Sequence, residues 1–365
     1  MTPTQILETL VSLPSPSKNE GAIADWITSL LQELGIAVRR KGNNLWFEIG
    51  RGGPRLLVNS HLDTVPPCAG WDTDPYHPVW KDDRLYGLGS NDAKGCVTAM
   101  LCAALRLAEG EPAESVHGTA IFAFTAEEEI GGQGISTILE ELGPLDAAIV
   151  GEPTGLQACG AQRGMLILKC IAHGESAHVA HAGIADNAIH KAARDIGKLA
   201  AMRFPGHPLL GAARAQVTQV SGGLARNQVP DICEFFVDLR TTPNLDHRAL
   251  TAELGSHLES EVLIHSDRYL PKATDAQHPI LLAALKANGC AGPMGSHTTS
   301  DWAFLGAIPT VKIGPGDTHR SHRPNEYITR SELKHGVECY EHLIKTYFKD
   351  EAAARQKSVE ACHAH

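Results

Sequence analysis

LLVNSHLDTV, residues 56 to 65, decides the fold: it is a short apolar run of the kind buried inside a sheet, and it ends in two side chains able to hold a metal. Side chains alternate along a strand, so His61 and Asp63 leave its end on the same side. Alone, a His-x-Asp pair is more often a surface histidine beside a turn aspartate. Its weight depends on what stands at the neighbouring strand ends.

Upstream, residues 20 to 34 place Ile23, Ile27, Leu30, Leu31 and Leu34 on one helical stripe, with Gly35 where a left-handed cap belongs. Residues 45 to 49 read as a further strand, parted from 56 to 60 by the turn RGGP at 51 to 54. Downstream, residues 71 to 95, WDTDPYHPVWKDDRLYGLGSNDAKG, are rich in Pro, Gly and Asp. That composition predicts a surface loop at the carboxyl end of the strand, where α/β sheets place their sites. Within it Asp92 precedes a nearly all-apolar helix, residues 96 to 108, and by itself reads as a helix cap. TAIFAFT, 119 to 125, is a second buried strand, followed by Glu127, Glu128, Glu129 and the turn IGGQG. A third, 146 to 150, runs into Gly151, Glu152, Pro153 and Thr154.

From about Gly164 the pattern changes. MLILKCIAHG, a helix over 187 to 202, ARAQVTQVSGG, VPDICEFFVDLRTTP, a helix from Asp246 and EVLIHS read as β-α-β-β-α-β, a two-layer α+β unit of the size of an inserted domain. The first pattern then resumes with a helix over 279 to 288 and the strand PTVKI at 309 to 313, which ends in GPGDTHRSHRPNEY. The expected organisation is an α/β domain, with a mixed, mostly parallel sheet flanked by helices, over 1–163 and 275–349. An inserted α+β domain covers 164–274, and a polar tail, 350–365, follows the last helix (331 to 349) and is expected to fray.

The chain has 365 residues, enough for two domains, and its 43% hydrophobic and 20% charged content is that of an ordinary globular protein. A formal charge of −10 and the lack of basic stripes argue against nucleic acid. Nine cysteines without a C-x-x-C pair, no signal-like N-terminus and no long apolar run point to a reducing cytoplasm and to no membrane partner.

Collected, the strand ends offer His61, Asp63, Asp92, Glu127, Glu128, Glu152 and, after the last strand, His319 and His322. Carboxylates crowded in one cleft repel by about 4 kcal/mol for each pair ~4 Å apart at an effective dielectric near 20. Either several are protonated or divalent cations sit among them. Two imidazoles beside them favour zinc, cobalt or manganese over calcium or magnesium. Paired metals bridged by a carboxylate hydrolyse amides and phosphates.

HLDTV, GLGSNDAKG, TAEEEIGG, GEPT and SHRPNEY, in that order and spacing, resemble the dinuclear zinc family of acetylornithine deacetylase, succinyl-diaminopimelate desuccinylase, aminoacylase and glutamate carboxypeptidase. The resemblance runs from about residue 5 to 347, and SNDAKG, HTTSDWAFL and KIGPGDTHRSHRPNEY bring it nearest to acetylornithine deacetylase. It implies a hydrolase that releases the acyl group of an N-acyl amino acid, N-acetylornithine first, in arginine biosynthesis. N-acetylcitrulline, N-succinyl-diaminopimelate, a dipeptide or a carboxypeptidase substrate are the alternatives, and a silent relative that only binds an acylated amino acid belongs to another class. It also implies two zinc ions, replaceable by cobalt or manganese, and a homodimer formed through the inserted lid domain.

By resemblance, His61 and Glu152 would hold one metal, Glu128 and His322 the other, and Asp92 would bridge them. Asp63 would orient His61. Glu127 would be the general base, taking a proton from the attacking water and delivering it to the leaving amine. His178 would reach the partner subunit's site and stabilise the oxyanion. Asn227 and Arg240 would grip the substrate, Arg240 by its α-carboxylate. His322 is preferred over His319 because it directly precedes the x-Pro-x-Glu-Tyr run. His173 and His181 are expected on the lid surface, and Glu129 facing solvent or capping a turn.

Overall fold

A computed structural model of the chain describes residues 1–109, 117–132, 134–184 and 186–363. It divides into two compact units, one of residues 1–160, 274–294 and 300–365, the other of 161–273 and 295–299. In chain order the strands used below are β1 (Arg39–Lys41), β2 (Asn44–Gly50), β3 (Arg55–His61), β4 (Thr119–Thr125), β5 (Ala147–Val150), β6 (Cys159–Gln162), β7 (Gly164–His173), β8 (Arg214–Gly222), β9 (Ile232–Thr241), β10 (Glu261–Tyr269) and β11 (Thr310–Lys312). The helices are α1 (Pro3–Ser12), α2 (Gly21–Glu33), α3 (Lys94–Glu109), α4 (Ala188–Ala201), α5 (His247–His257), α6 (Pro279–Asn288) and α7 (Arg330–His363).

The sheet of the first unit contains the run β1-β2-β4-β3-β5-β11-β6, part of a nine-stranded sheet. Its centre, β4, β3, β5 and β11, is parallel, and the flanking β1, β2 and β6 are antiparallel. Central strands of a parallel sheet are buried on both faces, which is why they read as unbroken apolar runs. One face lies under α1, α2, α3 and α7 through Val58, Phe122, Met100 and Leu343; the other carries Leu57, Ile121, Ala148 and Trp302. His61 pairs with Thr125, and Val150 with both Asn59 and Lys312, so the carboxyl ends of β3, β4, β5 and β11 finish level.

Two local differences from the expected elements have simple causes. The segment after Asp63 is not wholly loop: Val79–Lys81 and Arg84–Tyr86 form a hairpin about Asp82 and Asp83, and Tyr327–Thr329 adds to it as a third strand. Adjacent aspartates supply the turn, with Asp82 at φ +55°. The tail expected to fray continues α7 as far as His363, since its Ala, Glu, Lys, Arg and Gln favour helix and no Gly or Pro interrupts them. Residues 364 and 365 lie outside the described residues.

The second unit is a four-stranded antiparallel sheet ordered β8-β9-β7-β10, with α4 and α5 on one face. Its core alternates along the strands, with Leu166, Leu168 and Cys170 of β7 and Phe235, Val237 and Leu239 of β9 against Ala192, Leu199 and Leu254. Gly295–Thr299, distant in sequence, joins this unit. Among the described residues no helix is long and apolar enough to cross a membrane.

Candidate metal centre

His61 closes β3, and its ring nitrogens have fixed partners. Nδ1 lies 3.0 Å from the Asp63 carbonyl and 3.4 Å from Asp63 Oδ1; Nε2 lies 3.3 Å from Asp92 Oδ1. Burial alone would depress the imidazole, but Asp63 and Asp92 outweigh it and hold His61 well above the ordinary range. Asp63, fully buried, also accepts from Ser17 Oγ at 2.7 Å and from the peptide N–H groups of Glu128 and Glu129 at 3.0 and 3.1 Å. One carboxylate thus orients the histidine and pins the turn after β4. Against burial, which would raise it, these bonds keep Asp63 below the usual carboxylate range.

The acids after β4 do not follow the expected register. Glu127 is left-handed at φ +59°, which breaks the period-two alternation, and its peptide N–H donates to Glu20 Oε1 at 3.2 Å. Its carboxylate folds back over Gly132, where any Cβ would collide with it. Glu128 and Glu129 open the 3₁₀ turn that follows. The carboxylate beside His322 is that of Glu129, expected to face solvent or cap a turn; it lies in the turn and is only 8% exposed, with His322 Nε2 3.0 Å from Oε2. Glu129, rather than Glu128, thus lies within hydrogen-bonding reach of His322.

Two groups of ligand atoms lie within 4.8 Å of one another: His61, Glu128 and Glu152, and His61, Asp92 and Glu129. Asp92 stands between the imidazoles, its Oδ1 toward His61 and its Oδ2 3.8 Å from His322 Nε2. Burial pushes Glu128 well above its usual range, with Glu152 adding to the effect; burial likewise raises Glu129 and brings Glu152 to about 7. Its hydrogen bond to Glu129 carries His322 to about 9. Carboxylates that hold their protons this strongly form a donor set that a divalent cation would ionise, and the imidazole and carboxylate mixture suits zinc-like ions. The residues therefore fit a metal.

Sequence reasoning overlooked several supports. Asp301, buried under the ends of β3 and β4, accepts from Thr125 Oγ1 at 2.7 Å, and burial raises it to about 6. Asn91 exchanges bonds with the Asp317 backbone, donating to its carbonyl at 3.1 Å and accepting from its N–H at 2.8 Å. A buried polar residue inside a motif was the available signal in both. His319 is exposed, and its peptide N–H caps onto Asp317.

The lid residues all lie on the second unit, at two places. His178 pairs with Gln228 across the short ribbon Ala177–His178 and Gln228–Val229, and Asn227 accepts from the Val179 N–H at 3.0 Å, so these two are neighbours. His173 and His181 are exposed, as expected. Arg240 sits at the far end of β9, eight residues beyond Ile232, roughly 26 Å along a strand. Its guanidinium is taken up by Asp238, Nε to Oδ1 at 2.8 Å and Nη2 to Oδ2 at 3.1 Å. Arg163, buried, donates through Nε to His297 Nδ1 at 3.0 Å, through Nη1 to the Arg240 carbonyl at 3.2 Å and through Nη2 to the Leu210 carbonyl. Among the described residues no carboxylate forms an ion pair with it.

Comparison with known proteins agrees with this architecture. The profile of peptidase family M20/M25/M40 matches residues 57–346. N-acetyl-L-citrulline deacetylase of Xanthomonas campestris pv. campestris is 29% identical over 363 residues, covering 93% of this chain and 96% of that protein. Succinyl-diaminopimelate desuccinylase of Shewanella pealeana is 28% identical, covering 92% of this chain and 95% of that one. A dinuclear metal-binding peptidase of the M20 family from Bacillus subtilis shares the fold, with a TM-score of 0.73 at 18% identity over 95% of this chain and 98% of that one.

Proposed function

The chain belongs to peptidase family M20/M25/M40 and is an amide-cleaving metallohydrolase, and from that premise we propose that it removes the acyl group of an N-acetylated α-amino acid of the ornithine or citrulline type, as in arginine biosynthesis. The observation that carries this reading is the pair of overlapping ligand groups that share His61, with Asp92 between the two imidazoles. We assign His61 and Glu152 to one cation, Glu129 and His322 to the other, and Asp92 to both. Zinc is the natural occupant, with cobalt or manganese able to replace it. When bound, the cations supply Lewis acidity toward the amide carbonyl and the attacking water.

Glu128, not Glu127, is the general base in this reading. Its peptide N–H is pinned by Asp63, and its carboxylate lies beside that of Glu152 and the His61 ring, within reach of a water held there. It takes the proton of the attacking water and hands it to the departing amine. Asp63 keeps His61 oriented, and His178 with Asn227 meets the oxyanion. Because Asp238 already occupies Arg240, we give the substrate's carboxylate to Arg163, whose buried charge has no anionic partner among the described residues.

A homodimer through the second unit follows from the same reading. Arg163 donates to the Arg240 carbonyl, and Arg240 lies a strand's length from His178, too far for one chain to present both Arg163 and His178 to one amino acid; β8 is also an edge strand bearing exposed Val220. A partner copy would bring its His178 to this chain's site. Free cysteines throughout the described residues support a reducing, cytoplasmic location.

The test is a screen of demetallated protein reloaded with zinc or cobalt, against N-acetylornithine, N-acetylcitrulline, N-succinyl-diaminopimelate and dipeptides. About two ions per chain are expected at full activity, with kcat/KM at least about tenfold higher for an acetyl-amino acid than for the others. Full turnover by the demetallated protein would remove the metal assignment, and a preference for dipeptides would remove the deacetylase one.

A further inference from the structure

Glu326, in the run SHRPNEY, has no part in the chemistry above, yet it is buried at 2% exposure and its acceptors all face one loop. Oε1 accepts from the peptide N–H of Asn91 at 2.9 Å and of Asp92 at 2.8 Å; Oε2 accepts from that of Gly89 at 3.1 Å. Its own carbonyl accepts from the N–H of Gly87 at 3.0 Å. One residue therefore fastens the chain from 87 to 92, ending at the N–H of Asp92 itself.

Glu326 lies four residues beyond His322, so the clasp joins the segments that carry Asp92 and His322. Asn91 closes the same junction through Asp317 and donates to Ser321 Oγ at 3.3 Å. A buried carboxylate is costly unless its lone pairs are filled, and three peptide N–H groups of one loop fill them in directions that fix the loop. Two residues past Asp92, Lys94, also buried, donates to the carbonyls of Leu10 and Leu13, both at 2.9 Å, and ties the start of α3 to the end of α1.

We propose that Glu326 is a positioning residue of the metal centre, holding the Asp92 backbone so that its two oxygens face His61 and His322 at once. The inference rests on the metal reading above. Groups that orient a ligand without touching the metal set its affinity by about 10–100-fold. Loss of Glu326 should therefore weaken metal binding in a chain that is still folded.

The experiment compares wild type, Glu326→Gln and Glu326→Ala as metal-free proteins, titrated with Co2+ against a chelating dye, with the visible Co2+ spectrum and thermal unfolding recorded for each. Glutamine keeps the oxygen that serves Asn91 and Asp92 but turns an amide toward the Gly89 N–H. It should weaken Co2+ binding by roughly tenfold, alanine by about a hundredfold, each with an altered spectrum. Leu343→Ala, on the buried face of α7, controls for lost stability. Variants that bind Co2+ like wild type overturn the inference, as does an equal loss in Leu343→Ala. Should the alanine variant fail to fold, the glutamine variant alone decides. A wild type that binds no Co2+ would overturn the metal reading itself, and this inference with it.

Discussion

In the first unit, His61, Asp92, Glu128, Glu129 and Glu152 gather at the level ends of parallel strands, most of their atoms withdrawn from water and tied to named partners. In the second, His178 stands exposed on a two-residue ribbon with exposed Asn227 beside it, while Arg240 lies a strand's length off, engaged with Asp238. The first region is preorganised and the second is not. On the proposed reading, a cleft that holds charge in place for catalysis is built before substrate arrives, whereas the groups left at the surface would be completed by a substrate or a second chain. The contrast makes unequal demands on substitution in the two regions.

The largest effect is expected inside the preorganised region. Glu128→Gln should lower kcat by about 10²–10⁴, the usual contribution of a general base, with the metal content unchanged. Glu129→Ala should lose metal as well as turnover, and Glu127→Ala should stay within a few-fold of wild type. Metal analysis beside steady-state kinetics separates the three. If Glu127→Ala is the dead, metal-replete variant, the turn after β4 has been assigned one residue out of register.

That register is also where reading the sequence alone reached its end. Apolar runs at 56–60, 119–125, 146–150 and 309–313 announce the parallel core, because strands buried on both faces admit little else. His61, Glu152 and His322, which follow those runs, and Asp92, which precedes α3, are the groups the sequence singled out, and the structure brings their side chains together. Three consecutive glutamates were not, since the left-handed backbone at Glu127 rotates the two that follow and nothing in EEE reveals which residue takes that conformation. Supports such as Asp301 and Glu326 were hidden for another reason: their partners are peptide groups or hydroxyls far away in sequence, which no local pattern records.

A smaller effect tests the second region and the need for a partner. His178→Ala should reduce kcat by about 10²–10³, as the loss of an oxyanion donor does, without loss of metal. Mixed with Glu128→Ala after proven subunit exchange, it should recover roughly a quarter of wild-type activity, since about half the dimers are then mixed and each holds one complete site. No recovery would confine His178 to its own chain, and the comparison between a built cleft and a borrowed donor would fail.

Next in size is recognition of the carboxylate. Arg163→Ala should raise KM for N-acetyl-amino acids by about 10–100-fold, the worth of a charge-assisted hydrogen bond, and do far less to the matching amides. Arg240→Ala should change KM less, because its fork is already spent on Asp238. The reverse ranking would return the carboxylate to Arg240 and leave Arg163 as a structural cation.

The smallest effect is graded and concerns protons. Glu152, raised to about 7, and His322, raised to about 9, both bind their protons more tightly in the folded chain than when unfolded. A group of that kind stabilises the fold below its unfolded pKa, and this contribution disappears as pH climbs through the folded value. The metal-free chain should thus lose stability between about pH 4.5 and 7 through Glu152, and again between about 6.5 and 9 through His322. Cations held by Glu152 and His322 would displace those same protons, so their apparent affinity should climb over pH 6 to 9 by about tenfold for each proton released per unit. Calorimetric titration with zinc in buffers of different ionisation enthalpy counts the protons, and thermal unfolding with and without metal should show the gap widening with pH. A gap that stays constant from pH 6 to 9 would mean that neither group changes its proton when the metal enters, and Glu152 and His322 would both have to be withdrawn as ligands.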